Sequence, residues 1–294
     1  MSRAPSKPKT IVSDLGLFYA AAIWGSTFFI VKDALADIDP VVLVGYRFIL
    51  AGGLMLAWLK ATGRPVLRDL SKGLWLSIIL LFLYIPQTIG LEYTTASNSG
   101  FITGLFVAFV PMFLPLITKQ RPTRIDIAAC LVSLSGLWVL TGGLHDVNFG
   151  DMITLLAAMT YALHVLYAGR YMKAGVDPYA ISCQQFLLVG ILSLLLGVLT
   201  KRPFEVATAN TWGVVVFLAL FPTLSAFVIQ MMVQRITAPV KVSLIFALEP
   251  VFAAVFAWTI GGEQLVVYRV SGGALIFAAL VIASFSRPKP TTDG

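Results

Sequence analysis

One carboxylate stands where lipid would be. The stretch 241–260, KVSLIFALEPVFAAVFAWTI, is long enough to cross a bilayer and carries Glu249 close to its middle. An acidic side chain at the centre of a membrane helix costs about 2.5–3.5 kcal/mol on insertion scales, so such groups face a cavity or a partner rather than acyl chains. Pro250 follows directly; lacking an N–H and crowding the preceding turn, it predicts a bend beside the acid. A second stretch, 97–118, has the same character, with Pro111 lying 139 positions before Pro250.

Further polar and aromatic groups fall midway along apolar runs, where desolvation makes them costly unless they serve a site or tie helices together. From the first half of the chain these are Trp24, Ser26 and Thr27, then Tyr84 and Gln87 around Pro86, then Asn98 and Thr103. The second half supplies Tyr161, His164, Ser225, Gln230 and Glu249. Trp and Tyr ordinarily mark the membrane interface, so their mid-span position in Trp24, Tyr84 and Tyr161 predicts a cavity wall. Ser26 and Ser225 fit backbone bonding or helix contact equally well, and Asn98 and Gln87 also suit interhelical hydrogen bonding. His164 fits a satisfied core group or a proton-coupling group. Arg47 reads as structural, snorkelling outward or bonding carbonyls in place. Glu249 fits either a receiver of a substrate ammonium or coupling proton, or a hydrogen-bonded tie between helices. No pattern for catalysis or metal binding is present: there is no GxxxxGKS loop and no HExxH, and no cofactor is expected. Few cations lie at mid-depth to receive a large phosphate ester. Such a cavity suits small amphiphilic or aromatic solutes.

The elements that position these groups follow from composition. With 58% apolar residues, 12% charged and a mean hydropathy of +0.89, the 294-residue chain lacks the charge to cover a soluble surface. An all-α integral membrane protein is predicted, with spans near 15–34, 40–59, 74–91, 97–118, 125–144, 150–171, 178–200, 212–235, 240–260 and 267–286. The first is too long, and too interrupted by Trp24-Gly25-Ser26-Thr27, for a cleaved signal core. Residues 1–10 read as a disordered tail. Cys130 and Cys183 lie inside spans without CxxC spacing and read as buried free thiols.

The net charge of +7 is a matter of topology rather than of nucleic acid. Sixteen of the 21 Lys and Arg fall on one side of the predicted spans, while Lys32, Lys201, Arg202 and Arg269 fall on the other and Arg47 lies within. The basic side is cytoplasmic by the positive-inside rule, which predicts both termini there.

An internal repeat is also visible. Asp39-Pro40 matches Asp177-Pro178, and Arg64-Pro65 matches Arg202-Pro203, each at an offset of 138. Each half then holds five spans. Five is odd, so the second half enters from the opposite face, which predicts two inverted five-helix repeats, 12–144 and 145–286, between tails 1–11 and 287–294. Inverted repeats place substrate at the midplane between halves, where Pro86, Pro111, Pro222 and Pro250 are expected to act as hinges.

These residues carry a resemblance. Ala22-Ile23-Trp24-Gly25-Ser26-Thr27-Phe28, the Pro40 to Arg47 spacing, Thr94-Thr95-Ala96-Ser97-Asn98 leading to Pro111, and Glu249-Pro250-Val251-Phe252 followed by Gly261-Gly262-Glu263 resemble the EamA family of the drug/metabolite transporter superfamily. The resemblance implies ten helices, cytoplasmic termini and export of small metabolites across the cell inner membrane. It is nearest the branch that exports amino acids, aromatic ones included. Lys119-Gln120-Arg121 stands where the first half would carry the counterpart of Glu263, and Gln185 stands at the counterpart of Arg47, so the two halves have diverged. The substrate-binding residues expected are Trp24, Thr27, Tyr84, Gln87, Asn98, Thr103, Tyr161, His164, Gln230 and Glu249. The expected partners are a small-molecule substrate and the bilayer, with monomer or homodimer left open. The alternatives are an exporter of drug-like or sugar-type metabolites, or a membrane-embedded enzyme acting on a lipid or prenyl chain, for which Glu249 and His164 would be the acid–base pair.

Overall fold

The computed structural model describes residues 7–143, 147–259 and 267–285, and every regular element among them is helical. In chain order these are α1 (Lys7–Ala34), α2 (Pro40–Ala61), α3 (Leu70–Tyr93), α4 (Ala96–Gly104), α5 (Phe106–Thr118), α6 (Arg124–Thr141), α7 (Phe149–Lys173), α8 (Pro178–Leu199), α9 (Ala209–Leu218), a π-helical turn (Ala219–Ser225), α10 (Ala226–Val233), α11 (Pro239–Phe246), α12 (Glu249–Thr259) and α13 (Val267–Ser284). Among the described residues, eight stretches are long and apolar enough to cross a membrane, and Val270–Ala283 is a shorter apolar helix. Many large apolar side chains point outward, among them Trp75 and Phe82 on α3, Leu116 on α5, Leu131 on α6 and Ile191 and Leu195 on α8. A surface of that kind is stable against lipid, and the protein is a multi-pass membrane protein.

The same cap starts α2 and α8. Asp39 accepts hydrogen bonds from the Val41 and Val42 amides at 2.8 and 3.2 Å, and Asp177 does so from Tyr179 and Ala180 at 2.8 and 3.1 Å. Pro40 and Pro178 follow at the first helical position, where a missing N–H costs nothing. These two helices pack along their whole length, because glycines let their backbones touch. A Cβ at Gly52 would stand 2.8 Å from the Leu187 nitrogen, and one at Gly190 would stand 2.6 Å from the Ile49 nitrogen. Ion pairs reach across at both ends, Arg202 to Asp39 at 3.2 Å and Arg64 to Asp177 at 3.9 Å. The other close pairs are α3 with α7, through Gly90 and Gly150, and α6 with α13, through Gly136 and Gly272.

Three details differ from the sequence expectation. α1 begins at Lys7, so residues 7–10, expected in a disordered tail, continue the helix; lysine is a good helix former and the apolar run behind it supplies the nucleus. The expected single span 240–260 is two helices, α11 and α12, meeting at Ala247–Leu248 just before Pro250, which cannot donate to the turn below it. The hinges expected at Pro86 and Pro111 are not breaks. α3 runs through Pro86 and α5 runs through both Pro111 and Pro115, while the interruption of that span falls at Leu105, after Gly104.

Candidate functional site

Pro222 shapes the wall of the site. Without an N–H it leaves the Leu218 carbonyl short of its helical donor, and the turn widens to a π-helix in which the Thr223 hydroxyl donates to Leu218 at 2.8 Å. The carbonyl of Pro222 itself accepts the indole N–H of Trp24 at 2.7 Å. This bond runs from α1 to the π turn, 198 residues away, and fixes the edge of the indole. Around its faces lie Phe246 at 4.8 Å, Phe227 at 5.1 Å and Tyr161 at 6.3 Å between ring centroids, mostly edge to face.

Glu249 closes the opposite side. It is the first residue of α12 and is 5% exposed, with Oε1 accepting the phenol of Tyr161 at 2.8 Å. Tyr161 on α7 is held flat against Phe106 of α5, stacked at 4.2 Å. Gly25 on α1 lies against the Glu249 carbonyl so closely that a Cβ there would be 2.4 Å from it. The apposition of α1 to α12 therefore sets where the carboxyl sits.

Between these groups is a cleft lined by Trp24, Thr27, Phe28, Leu83, Tyr84, Gln87, Tyr161, Phe227 and Glu249. Its lining comes from both halves of the chain. The cavity volume is about 30 Å³, in the measure by which a single water needs about 10–15 Å³, so it has room for about two waters. An organic solute enters only if the aromatic side chains give way.

Six of the ten residues expected to bind substrate line this cleft: Trp24, Thr27, Tyr84, Gln87, Tyr161 and Glu249. Thr103 is one bond removed, since its hydroxyl accepts the Gln87 amide at 3.1 Å. Asn98 is buried in the first turn of α4, its amide N–H bonded to Thr95, and is outside the lining. His164 is fully buried, its Nε2 paired with Gln185 Oε1 at 2.7 Å and its ring 5.8 Å from Phe227, so it touches the wall from behind. Gln230 points toward Gln234 at 3.5 Å, whose own amide holds the Val165 carbonyl. Ser26 bonds the Ile23 carbonyl, and Ser225 bonds the Phe221 carbonyl and Tyr19. Of the acid–base pair that a lipid-modifying enzyme would need, Glu249 is hydrogen-bonded by Tyr161 and His164 by Gln185. Glu263 lies outside the described residues.

Phe28, Leu83 and Phe227 were not anticipated in the wall, and neither was the role of Arg47. Arg47 is 4% exposed and neither snorkels nor bonds carbonyls. Its Nε donates to Thr223 at 2.5 Å and its Nη2 donates to the Tyr84 phenol at 3.2 Å, with the guanidinium carbon 4.7 Å from the centre of the Tyr84 ring. A lone charge mid-span was the available signal; its partners were not readable.

Comparison with known proteins agrees with this architecture. The pattern of the EamA-like transporter family matches residues 11–142 and again residues 148–285. The chain belongs to that family. It is 32% identical over 276 residues to an uncharacterized transporter of Archaeoglobus fulgidus, covering 94% of this chain and 87% of that one. It is 24% identical to the uncharacterized inner membrane transporter YedA of Escherichia coli strain K12, covering 90% and 89% of the two chains. It is also 24% identical to the uncharacterized transporter YyaM of Bacillus subtilis, covering 88% and 89%. One crystal structure superposes with a TM-score of 0.80 at 19% identity, over 93% of this chain and 96% of that chain, which shows a shared fold. Membership of this family makes the EamA-like chain a membrane transporter.

Proposed function

We propose that the protein is a secondary exporter of small amphiphilic metabolites, foremost amino acids with aromatic or apolar side chains, and not an enzyme. It works by alternating access around the cleft between Trp24, Tyr84, Tyr161 and Glu249. The observation that carries this reading is the make-up of that cleft. Aromatic walls drawn from both halves of the chain enclose one carboxyl and the amide of Gln87, which suits a solute with an apolar body and a cationic head. The sequence offsets of 138 support ten spans in two inverted five-helix repeats, 12–144 and 145–286. The 16-to-4 sorting of basic residues supports cytoplasmic termini in the cell inner membrane.

In this mechanism the tightly apposed pair α2–α8 acts as a spine. Movement falls on the helices that are already interrupted, α4–α5 at Leu105, the π turn at Pro222, and α11–α12 at Ala247–Leu248. Glu249 and Trp24 sit beside two of these interruptions, so a change in their contacts is felt where the chain bends most easily. Purified protein in proteoliposomes is expected to accumulate labelled phenylalanine, leucine or threonine above empty liposomes, with phenylalanine favoured. Uptake equal to that of empty liposomes for a full amino-acid panel would refute the substrate class.

A further inference from the structure

Arg47 and Glu249 are both buried in the membrane interior, yet among the described residues neither has a partner of opposite charge within ion-pairing distance. Of the five guanidinium N–H groups of Arg47, one reaches Thr223 and one reaches Tyr84, both neutral hydroxyls. Burying a cation that way is costly unless a partner arrives, and the guanidinium fork fits a carboxylate with two parallel bonds. Tyr84 links Arg47 to the cleft: Tyr84 belongs to the lining, Arg47 does not, and the guanidinium carbon lies 4.7 Å from the centre of the Tyr84 ring. Across the cleft, Glu249 belongs to the lining itself, with Oε1 accepting the phenol of Tyr161.

We propose that Arg47 and Glu249 are the two poles of a site for zwitterions. Arg47 takes a substrate carboxylate when the Tyr84 phenol turns aside, Glu249 takes the ammonium group, and the rings of Trp24, Phe227 and Tyr161 hold an apolar side chain. The inference rests on the amino-acid reading above and deepens it, because it makes Arg47 a determinant of specificity. The narrowness of the cleft fits. With room for about two waters, it admits a solute only by displacing an aromatic ring, and displacing Tyr84 uncovers the cation. A zwitterion satisfies both poles, whereas an amine or an acid of the same shape leaves one of them unpaired.

The test is equilibrium dialysis of the purified full chain against three labelled probes of one shape: phenylalanine, phenethylamine and 3-phenylpropionate. Wild type is expected to bind phenylalanine tightest. Arg47→Gln is expected to weaken phenylalanine and phenylpropionate by roughly 10- to 100-fold, the worth of a charged hydrogen bond, while phenethylamine changes by less than about threefold. Arg47→Lys recovers part of the phenylalanine loss. Glu249→Gln gives the mirror pattern, weakening phenylalanine and phenethylamine but not phenylpropionate. Equal weakening of all three probes in Arg47→Gln, or unchanged phenylalanine affinity, overturns the proposal. Should Arg47→Gln not fold, Tyr84→Phe reads the same site. Removing the phenol that occupies Nη2 tightens phenylalanine relative to phenethylamine, and an unchanged ratio overturns the proposal. Wild type that does not bind phenylalanine and takes up none of an amino-acid panel refutes the amino-acid reading itself.

Discussion

Gly25→Ala adds one methyl group at the place where α1 meets the Glu249 backbone. The new Cβ would stand 2.4 Å from the Glu249 carbonyl oxygen, 2.9 Å from the Phe252 Cβ and 3.1 Å from the Ala253 nitrogen. None of these is the end of a flexible side chain, so relief requires one helix to move. Ordinary contact begins at 3.4 Å, and 3.4 minus 2.4 makes the displacement about 1 Å. Overpacking of this kind costs about 1–3 kcal/mol. At about 2–4 °C per kcal/mol for a chain of this size, Tm falls by roughly 2–12 °C. The same shift moves the Glu249 carboxyl relative to the Tyr161 phenol, so uptake falls further than the loss of folded protein explains. Gly53→Ala is the control: nothing lies within 4 Å of the Cβ it would add, and alanine is the better helix residue by about 1 kcal/mol. Melting in detergent and uptake into proteoliposomes, normalised to folded protein, read the two effects separately. A Gly25→Ala protein that melts and transports like wild type would refute the claim that contact between α1 and α12 sets the carboxyl's position.

Other perturbations test neighbouring links. Trp24→Phe keeps the ring contacts but strips the Pro222 carbonyl of its donor, which costs about 1–3 kcal/mol and is read as lower Tm with the largest uptake loss for aromatic solutes. Asp39→Ala and Asp177→Ala each remove an N-cap worth about 0.5–2 kcal/mol, and Asp39→Ala is expected to lose more, because its ion pair is shorter (3.2 against 3.9 Å) and its side chain less exposed; equal melting shifts would show that the ion pairs add nothing. Glu249→Gln keeps shape and hydrogen bonding while removing the titratable group. It should insert and fold normally yet lose uptake or its dependence on pH, and wild-type uptake across the pH range would leave Glu249 a structural residue.

The residues that were legible from sequence alone are those whose burial is costly. Glu249, Gln87, Tyr84 and Tyr161 carry polar atoms at membrane depth, and that cost is a property of the residue and its position along a span, visible without coordinates. Phe28, Leu83 and Phe227 carry no such mark, since an apolar ring facing a cleft and one facing lipid are the same letters. The polar contacts were not readable either. Arg47 meets Tyr84 and Thr223 through helices 37 and 176 residues away, and no local pattern encodes that meeting. Prolines signalled irregularity but not its place. Pro222 yields a π turn and Pro250 follows a break, whereas Pro86 and Pro111 are accommodated inside helices, because neighbouring helices decide whether the weakened turn opens. Span count shows the same limit. α6 and α13 pack on each other, but neither is among the eight stretches of the described residues that length and apolar character mark as crossing.

The most direct measurement of alternating access around this cleft is the accessibility of Thr27, which lines it and is partly exposed. Thr27→Cys is placed in a chain whose Cys130 and Cys183 are replaced, and a membrane-impermeant maleimide is applied to oriented vesicles from one face or the other. Labelling is expected from both faces, with phenylalanine slowing the reaction and changing the ratio between faces. Labelling confined to one face whatever the substrate would contradict alternating access.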